Sequence, residues 1–213
     1  MKRNIFGNSI NWLTSIYLVA FGVLLVLTNH GDLVLWINER NSPTLDILFK
    51  YWTYLGDGVL LGVLGLALLF ANYYRFLVFL LGVALQTIFV HIFKQWLYAN
   101  EPRPKVFFDE IIDSLHFVEG VAVRGYDSFP SGHTASGFFL FFFLLSIIKN
   151  EAIRVLCFVV AVGVGLSRIY LLQHFGRDVF IGSLFGILSV LLAYLFLSKY
   201  ENRDKLKRGL LMH

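Results

Sequence analysis

The stretch Val179-Phe-Ile-Gly-Ser-Leu-Phe-Gly-Ile-Leu-Ser-Val-Leu-Leu-Ala-Tyr-Leu-Phe-Leu-Ser198 runs without a single charge. That is long enough for an α-helix to cross the hydrocarbon of a bilayer, which takes about 20 apolar residues. Toward the N-terminus the same reading finds five more runs at or slightly below that length: about Ala152–Ser167, Thr134–Ile148, Phe76–Leu97, Gly58–Asn72 and Asn11–Thr28. The predicted fold is therefore all-α, an integral membrane bundle of six transmembrane helices. Gly58–Asn72 and Thr134–Ile148 are short, but Tyr73, Tyr74 and Phe129 beside them are aromatic and suited to extending each to an interface. Asp32 to Lys50 mixes polar and apolar residues and suits a helix lying in the interface. The first apolar run is too long for the core of a signal peptide and no small-residue cleavage site follows it, so it reads as a span.

Composition agrees. The 213 residues are 57% hydrophobic and 15% charged, with a mean hydropathy of +0.69, well outside the usage of soluble domains. No linker or low-complexity tract interrupts the chain, which reads as one domain over 1–213 with its motifs within about 91–180. The net charge of +4 does not come as a basic stripe interleaved with aromatics, which argues against a nucleic-acid partner. The lone Cys157 lies in an apolar run and reads as packing. Lys2, Arg3, Arg75, Lys149, Arg154, Lys199, Arg203, Lys205, Lys207 and Arg208 fall in the termini and the even loops, against only Glu151, Glu201 and Asp204. By the positive-inside rule that side is cytoplasmic, giving a multi-pass protein of the cell membrane with both termini inside.

Three polar segments sit at the ends of apolar helices on the opposite face, where buried charge is tolerated mainly for function. The first runs from Lys94 to Arg103 and Pro104, with the arginine held between two prolines that favour extended backbone; the bland alternative is a snorkelling lysine and a solvated arginine. The second is Phe129-Pro130-Ser131-Gly132-His133-Thr134, where a helix start presents amides to an anion; equally, Ser131 is an ordinary N-cap beside a surface histidine. In the third, Ser167-Arg168 through His174 to Asp178, a helical course would put His174 and Asp178 on one face, so that the carboxylate orients one imidazole nitrogen and leaves the other free to attack. A plain surface His–Asp pair is the alternative. Together the three supply what phosphoryl transfer requires: fixed cations and amides, an in-line nucleophile and an acid for the leaving oxygen.

These residues resemble the type 2 phosphatidic acid phosphatase superfamily, whose signature is Lys-x6-Arg-Pro, Pro-Ser-Gly-His and Ser-Arg-x5-His-x3-Asp. The second and third parts match in full. In the first, eight residues instead of six separate Lys94 from Arg103. The resemblance implies that His174 attacks phosphorus, Asp178 orients it, and His133 protonates the leaving alkoxide and later activates water. It also implies that Lys94, Arg103, Ser131, Gly132 and Arg168 bind the phosphate, and it implies no metal or other cofactor. A zinc site of His133, His174 and Asp178 has suitable ligand types but sits among repelling cations.

Other polar residues carry less. His91 is one turn from Lys94, and Asp57 is either an N-cap or an acid. Asp109, Glu110, Asp113, His116, Glu119, Arg124 and Asp127 form either a lid or a solvated loop. Phe138–Phe143 read as lipid-facing and packing surface. The expected function is hydrolysis of a membrane lipid phosphomonoester or diphosphate: phosphatidylglycerol phosphate, phosphatidic acid, undecaprenyl diphosphate or a lipid A phosphate. The alternatives are a phosphatase of a soluble phosphoester and a non-catalytic lipid transporter or scramblase.

Overall fold

The computed structural model describes residues 5–201, 203, 206 and 208–210; of the charges used to orient the chain, Lys2, Arg3, Asp204, Lys205 and Lys207 lie outside them. Among the described residues the regular structure is entirely helical, with no strand. In order come α1 (Gly7–Leu27), α2 (Asp32–Asn38), α3 (Pro43–Trp52), α4 (Gly58–Ala71), α5 (Tyr73–Ile92), α6 (Pro104–Phe107), α7 (Gly132–Ile147), α8 (Glu151–Tyr170) and α9 (Gly176–Leu197). Each of the six expected apolar runs is a helix. Four of them are long and apolar enough to cross a membrane, and Pro43–Gly56 with Gly58–Ala71 makes a fifth span if a 45° bend between them is allowed.

The expected single interfacial helix is two. Asp32 opens α2 and accepts from the preceding Asn29 amide, and α3 restarts where Ser42 accepts from the Leu45 amide with Pro43 in the first turn. A proline is tolerated there because it has no amide to leave unsatisfied.

The short helix α7, 16 residues or about 24 Å, is the centre of the bundle. Phe138, Phe139, Phe142 and Phe143 are completely buried, packed on Phe79 of α5, Phe158 of α8 and Tyr194 of α9. They are core and do not face lipid, which corrects half of the reading given to Phe138–Phe143. Glycines let the neighbours close on this helix. A Cβ on Gly186 of α9 would stand 2.5 Å from the Ala135 carbonyl oxygen, and one on Gly182 2.6 Å from that of Ser131.

The chain's motifs gather at one end of the bundle: the C-terminal ends of α5 and α8 and the N-terminal ends of α7 and α9. At the other end the Tyr73 amide donates to the Arg208 carbonyl, so the C-terminal segment returns to the α4–α5 turn. A tie on the motif end joins α3, α8 and the long loop: Asp46 accepts from the Tyr170 hydroxyl at 2.5 Å and lies 2.9 Å from His116 Nε2.

Candidate active site

His174 is placed by a reversal of the chain. Helix α8 ends at Tyr170, Leu172 takes the left-handed conformation (φ 55°), and the amides of Gln173 and His174 both donate back to the Arg168 carbonyl. The ring is thereby folded under the end of α8, 2% exposed. His174 therefore does not share a helix with Asp178, as a helical course would have had it. Asp178 is in the first turn of α9, and its Oδ2 accepts from the Phe175 amide at 3.0 Å, the cap of that helix. The same oxygen accepts from Ser128 Oγ at 2.5 Å and lies 3.4 Å from His174 Nδ1. The pairing arises from helix capping, which holds a carboxylate over the N-terminal turn where the helix dipole favours it.

The opposite nitrogen, His174 Nε2, faces Arg103 Nη1 at 3.5 Å. Burial first, then the charges of Arg103, Arg168 and Lys94, push the imidazole well below its usual pKa of 6.5. The ring is neutral at pH 7, with a lone pair available.

Arg103 is buried and anchored by hydrogen bonds that leave one Nη2 donor unassigned. Nε donates to the Tyr126 carbonyl, Nη2 to that of Asp127, and Nη1 to the carbonyl and side-chain oxygen of Gln173. Lys94 Nζ donates at 2.7 Å to the same Asp127 carbonyl, so the irregular spacing does not separate Lys94 from Arg103. Lys94 falls in a widened π-helical turn, Phe93–Leu97, and Asn100 in the segment that follows is left-handed (φ 61°). Both devices take up chain in a short distance, which accommodates the two extra residues.

Ser131 caps α7, its hydroxyl accepting from the Thr134 amide and hydroxyl, while its own amide donates to the Asp178 carbonyl. Gly132 opens the helix with its amide at the site, and His133 follows. The capping and anion-cradle readings are thus compatible, because the free amides of the first turn still point outward. Arg168 Nη1 donates to Thr53 Oγ1 at 2.6 Å, and the Arg168 Nε has no partner.

All eight sequence-predicted residues thus stand at one end of the bundle, on four helix ends and two connecting loops. His91 does not join them and is exposed on α5. Asp57 is the N-cap of α4, its Oδ1 accepting from the Val59 amide, and its charge also reaches His133 and Arg168. In the loop, Arg124 acts on Arg103, whose pKa is lowered first by burial and next by that charge. Ser128 and Gln173, which hold Asp178 and Arg103, were missed by the sequence reading, and their position beside motifs was the one signal for them. Thr53, far away in sequence and unremarkable in composition, was not. Among the described residues no group of three or more His, Cys, Asp and Glu is disposed to hold a metal ion.

Such a site can hold a tetrahedral oxyanion among three cations and a helix start, with a neutral imidazole on one side. The PAP2 superfamily model matches residues 75–201. The crystal structure of Aquifex aeolicus LpxE superposes with a TM-score of 0.67 at 30% identity, covering 78% of this chain and 94% of that one. The transmembrane PAP2-type phosphatidylglycerolphosphate phosphatase of Bacillus subtilis superposes over 90% of this chain and 98% of that one, with a TM-score of 0.61 at 21% identity, a likeness of fold. A probable lipid phosphate phosphatase of Arabidopsis thaliana is 32% identical over 111 residues, 46% of this chain but only 36% of the plant protein's length.

Proposed function

The chain belongs to the PAP2 superfamily, and on that premise we propose that it hydrolyses a lipid phosphomonoester or diphosphate through a phosphohistidine on His174, without a metal. The observation that carries the reading is the direction of His174 Nε2, which faces Arg103 at 3.5 Å while Nδ1 faces Asp178 at 3.4 Å. With the proton on Nδ1, toward Asp178, the Nε2 lone pair looks toward the groups that would hold phosphoryl oxygens.

The steps follow from that arrangement. Lys94, Arg103 and Arg168, with the Ser131 hydroxyl and the Gly132 amide, hold the oxygens and absorb charge in the transition state. His174 Nε2 forms a bond to phosphorus as the bond from phosphorus to the lipid oxygen breaks, and His133 gives that oxygen its proton. Asp178 stabilises the positive charge that develops on the His174 ring, by the logic of a base oriented by a carboxylate. Water then attacks phosphorus, His133 takes its proton, and the released phosphate leaves His174 neutral again. Clustered arginine and lysine repel a divalent cation and supply the charge it would otherwise bring, which supports metal independence.

The six helices are read as six spans, with 1–213 as one domain. Arg75, Lys149, Arg154, Lys199, Arg203 and Arg208 at the far end support cytoplasmic termini and a site facing the outside. Phosphate release from purified lipid phosphates and diphosphates, comparing wild type with His174→Ala, tests the function. Expected are turnover by the wild type only, inhibition by vanadate and indifference to EDTA. Activity lost in EDTA and restored by zinc overturns the mechanism, and lipid transfer by wild type and His174→Ala alike, with no phosphate released by either, overturns the enzyme.

A further inference from the structure

A cleft of about 650 Å³ opens between α4 and α5, with Ser136 of α7 at its back. Its walls follow helical spacing: Gly58, Leu61, Gly62, Gly65, Leu66 and Leu69 on α4, and Phe76, Phe79, Leu80, Val83, Gln86 and Thr87 on α5. From Gly58 to Leu69 it runs about 16 Å along the helix, the depth of one leaflet of hydrocarbon. Its upper end adjoins the site, for Gly58 follows Asp57 and Ser136 lies one helical turn below His133.

Two features say that this cleft takes a ligand. Glycine in a helix interior costs roughly 1 kcal/mol relative to alanine, yet a Cβ on Gly62, in the second turn of α4, would meet no atom of the protein within 4 Å. The bare backbone is not needed for packing within the chain; it leaves room. The second feature is a polar rung at the top of an otherwise apolar wall. Gln86, 5% exposed, donates to Thr87 Oγ1 at 3.4 Å and to Ser136 Oγ at 3.5 Å, both at the outer edge of hydrogen-bond range. A buried amide so weakly engaged at membrane depth is costly unless something else bonds it.

We propose that the cleft binds the diacylglycerol part of a glycerophospholipid phosphate, with Gln86, Thr87 and Ser136 hydrogen-bonding an ester carbonyl. This rests on the phosphatase reading of the adjoining site and narrows it. In such a lipid an ester carbonyl follows the phosphate after only the glycerol carbons, which matches a polar rung one turn below His133. A polyprenyl diphosphate offers hydrocarbon at that depth, and a phosphorylated sugar lipid places a ring between phosphate and acyl carbonyl. Neither satisfies the rung, and a chain much longer than one leaflet would overrun the cleft.

The test compares diacyl phosphatidate with its dialkyl ether analogue, identical but for the carbonyls, on wild type and Gln86→Met, a change of similar length and volume. The ratio of the two turnovers on one preparation cancels any difference in folded fraction. Wild type is expected to favour the diester by roughly 3- to 10-fold, the worth of one neutral hydrogen bond, and Gln86→Met to bring the ratio near one. A wild-type ratio near one, a ratio unchanged by Gln86→Met, or a polyprenyl diphosphate turned over more efficiently than the diester overturns the proposal. Should wild type hydrolyse none of these lipids, the phosphatase reading falls by itself. Retention of diester against diether in native mass spectrometry then decides the cleft: preference by wild type alone supports it, equal retention by both proteins overturns it.

Discussion

Thr53 accepts a hydrogen bond of 2.6 Å from Arg168 Nη1 across 115 positions of the chain, and both side chains are buried. The hydroxyl sits in the single 3₁₀ turn, Thr53–Gly56, that joins α3 to α4, so the bend between those helices is what aims the arginine. Thr53→Val keeps the shape and removes the acceptor. A hydrogen bond to a charged group is worth about 1.5–3 kcal/mol, so kcat/KM and vanadate affinity should each fall roughly 10- to 100-fold. Thr53→Ser should recover most of both, measured by steady-state kinetics with vanadate as inhibitor.

Ser128 donates to Asp178 Oδ2, the same oxygen that faces His174 Nδ1. Ser128→Ala leaves the carboxylate with the Phe175 amide and the Arg177 Nε, 3.6 Å from its other oxygen, and so freer to rotate away from the imidazole. The expected result is a fall in kcat of about tenfold with KM little changed, because an orienting contact acts mainly in the transition state. A change confined to KM would contradict it.

His174 also couples folding to pH. Its pKa in the folded chain lies below the usual 6.5, through burial first and neighbouring cations second. The unfolded chain takes up a proton as pH falls through 6.5 and the folded chain does not, so this contribution is present above pH 6.5 and is lost as pH falls toward the folded value. Thermal unfolding in detergent from pH 7.5 to 4.5 should show a steeper decline for wild type than for His174→Gln.

Gly56 lies against the first turn of α7. A Cβ there would stand 2.5 Å from the His133 carbonyl oxygen and 2.7 Å from Val164 Cγ1. Gly56→Ala should cost about 1–3 kcal/mol of stability and lower turnover by displacing His133, whereas Gly58→Ala, which meets nothing, should be neutral or slightly stabilising. Denaturation midpoints of the two variants check the contrast.

How far the sequence speaks depends on range. Six apolar runs and the gathering of His133, His174 and Asp178 at one end of the bundle are legible because hydropathy and motif spacing are local properties. The phenylalanines of α7 were only half legible, since composition cannot separate a helix wrapped by protein from one bathed in lipid. Lys94 looked misplaced by its spacing because residue counting assumes a regular helix, and a π-helical turn breaks that assumption. The interfacial segment divided at Ser42 and Pro43, a signal present in the sequence. Thr53 was illegible: its importance exists only once the α3–α4 bend brings it to Arg168.

Arg103 grips the loop that covers it, through the carbonyls of Tyr126 and Asp127 and through its own amide to Gly125, and Lys94 holds the same loop at Asp127. The segment is therefore no shutter hung in front of a finished site; its backbone is the jig in which Arg103 and Lys94 are clamped. Cutting the chain near Arg124 should therefore unseat these two cations instead of merely exposing them.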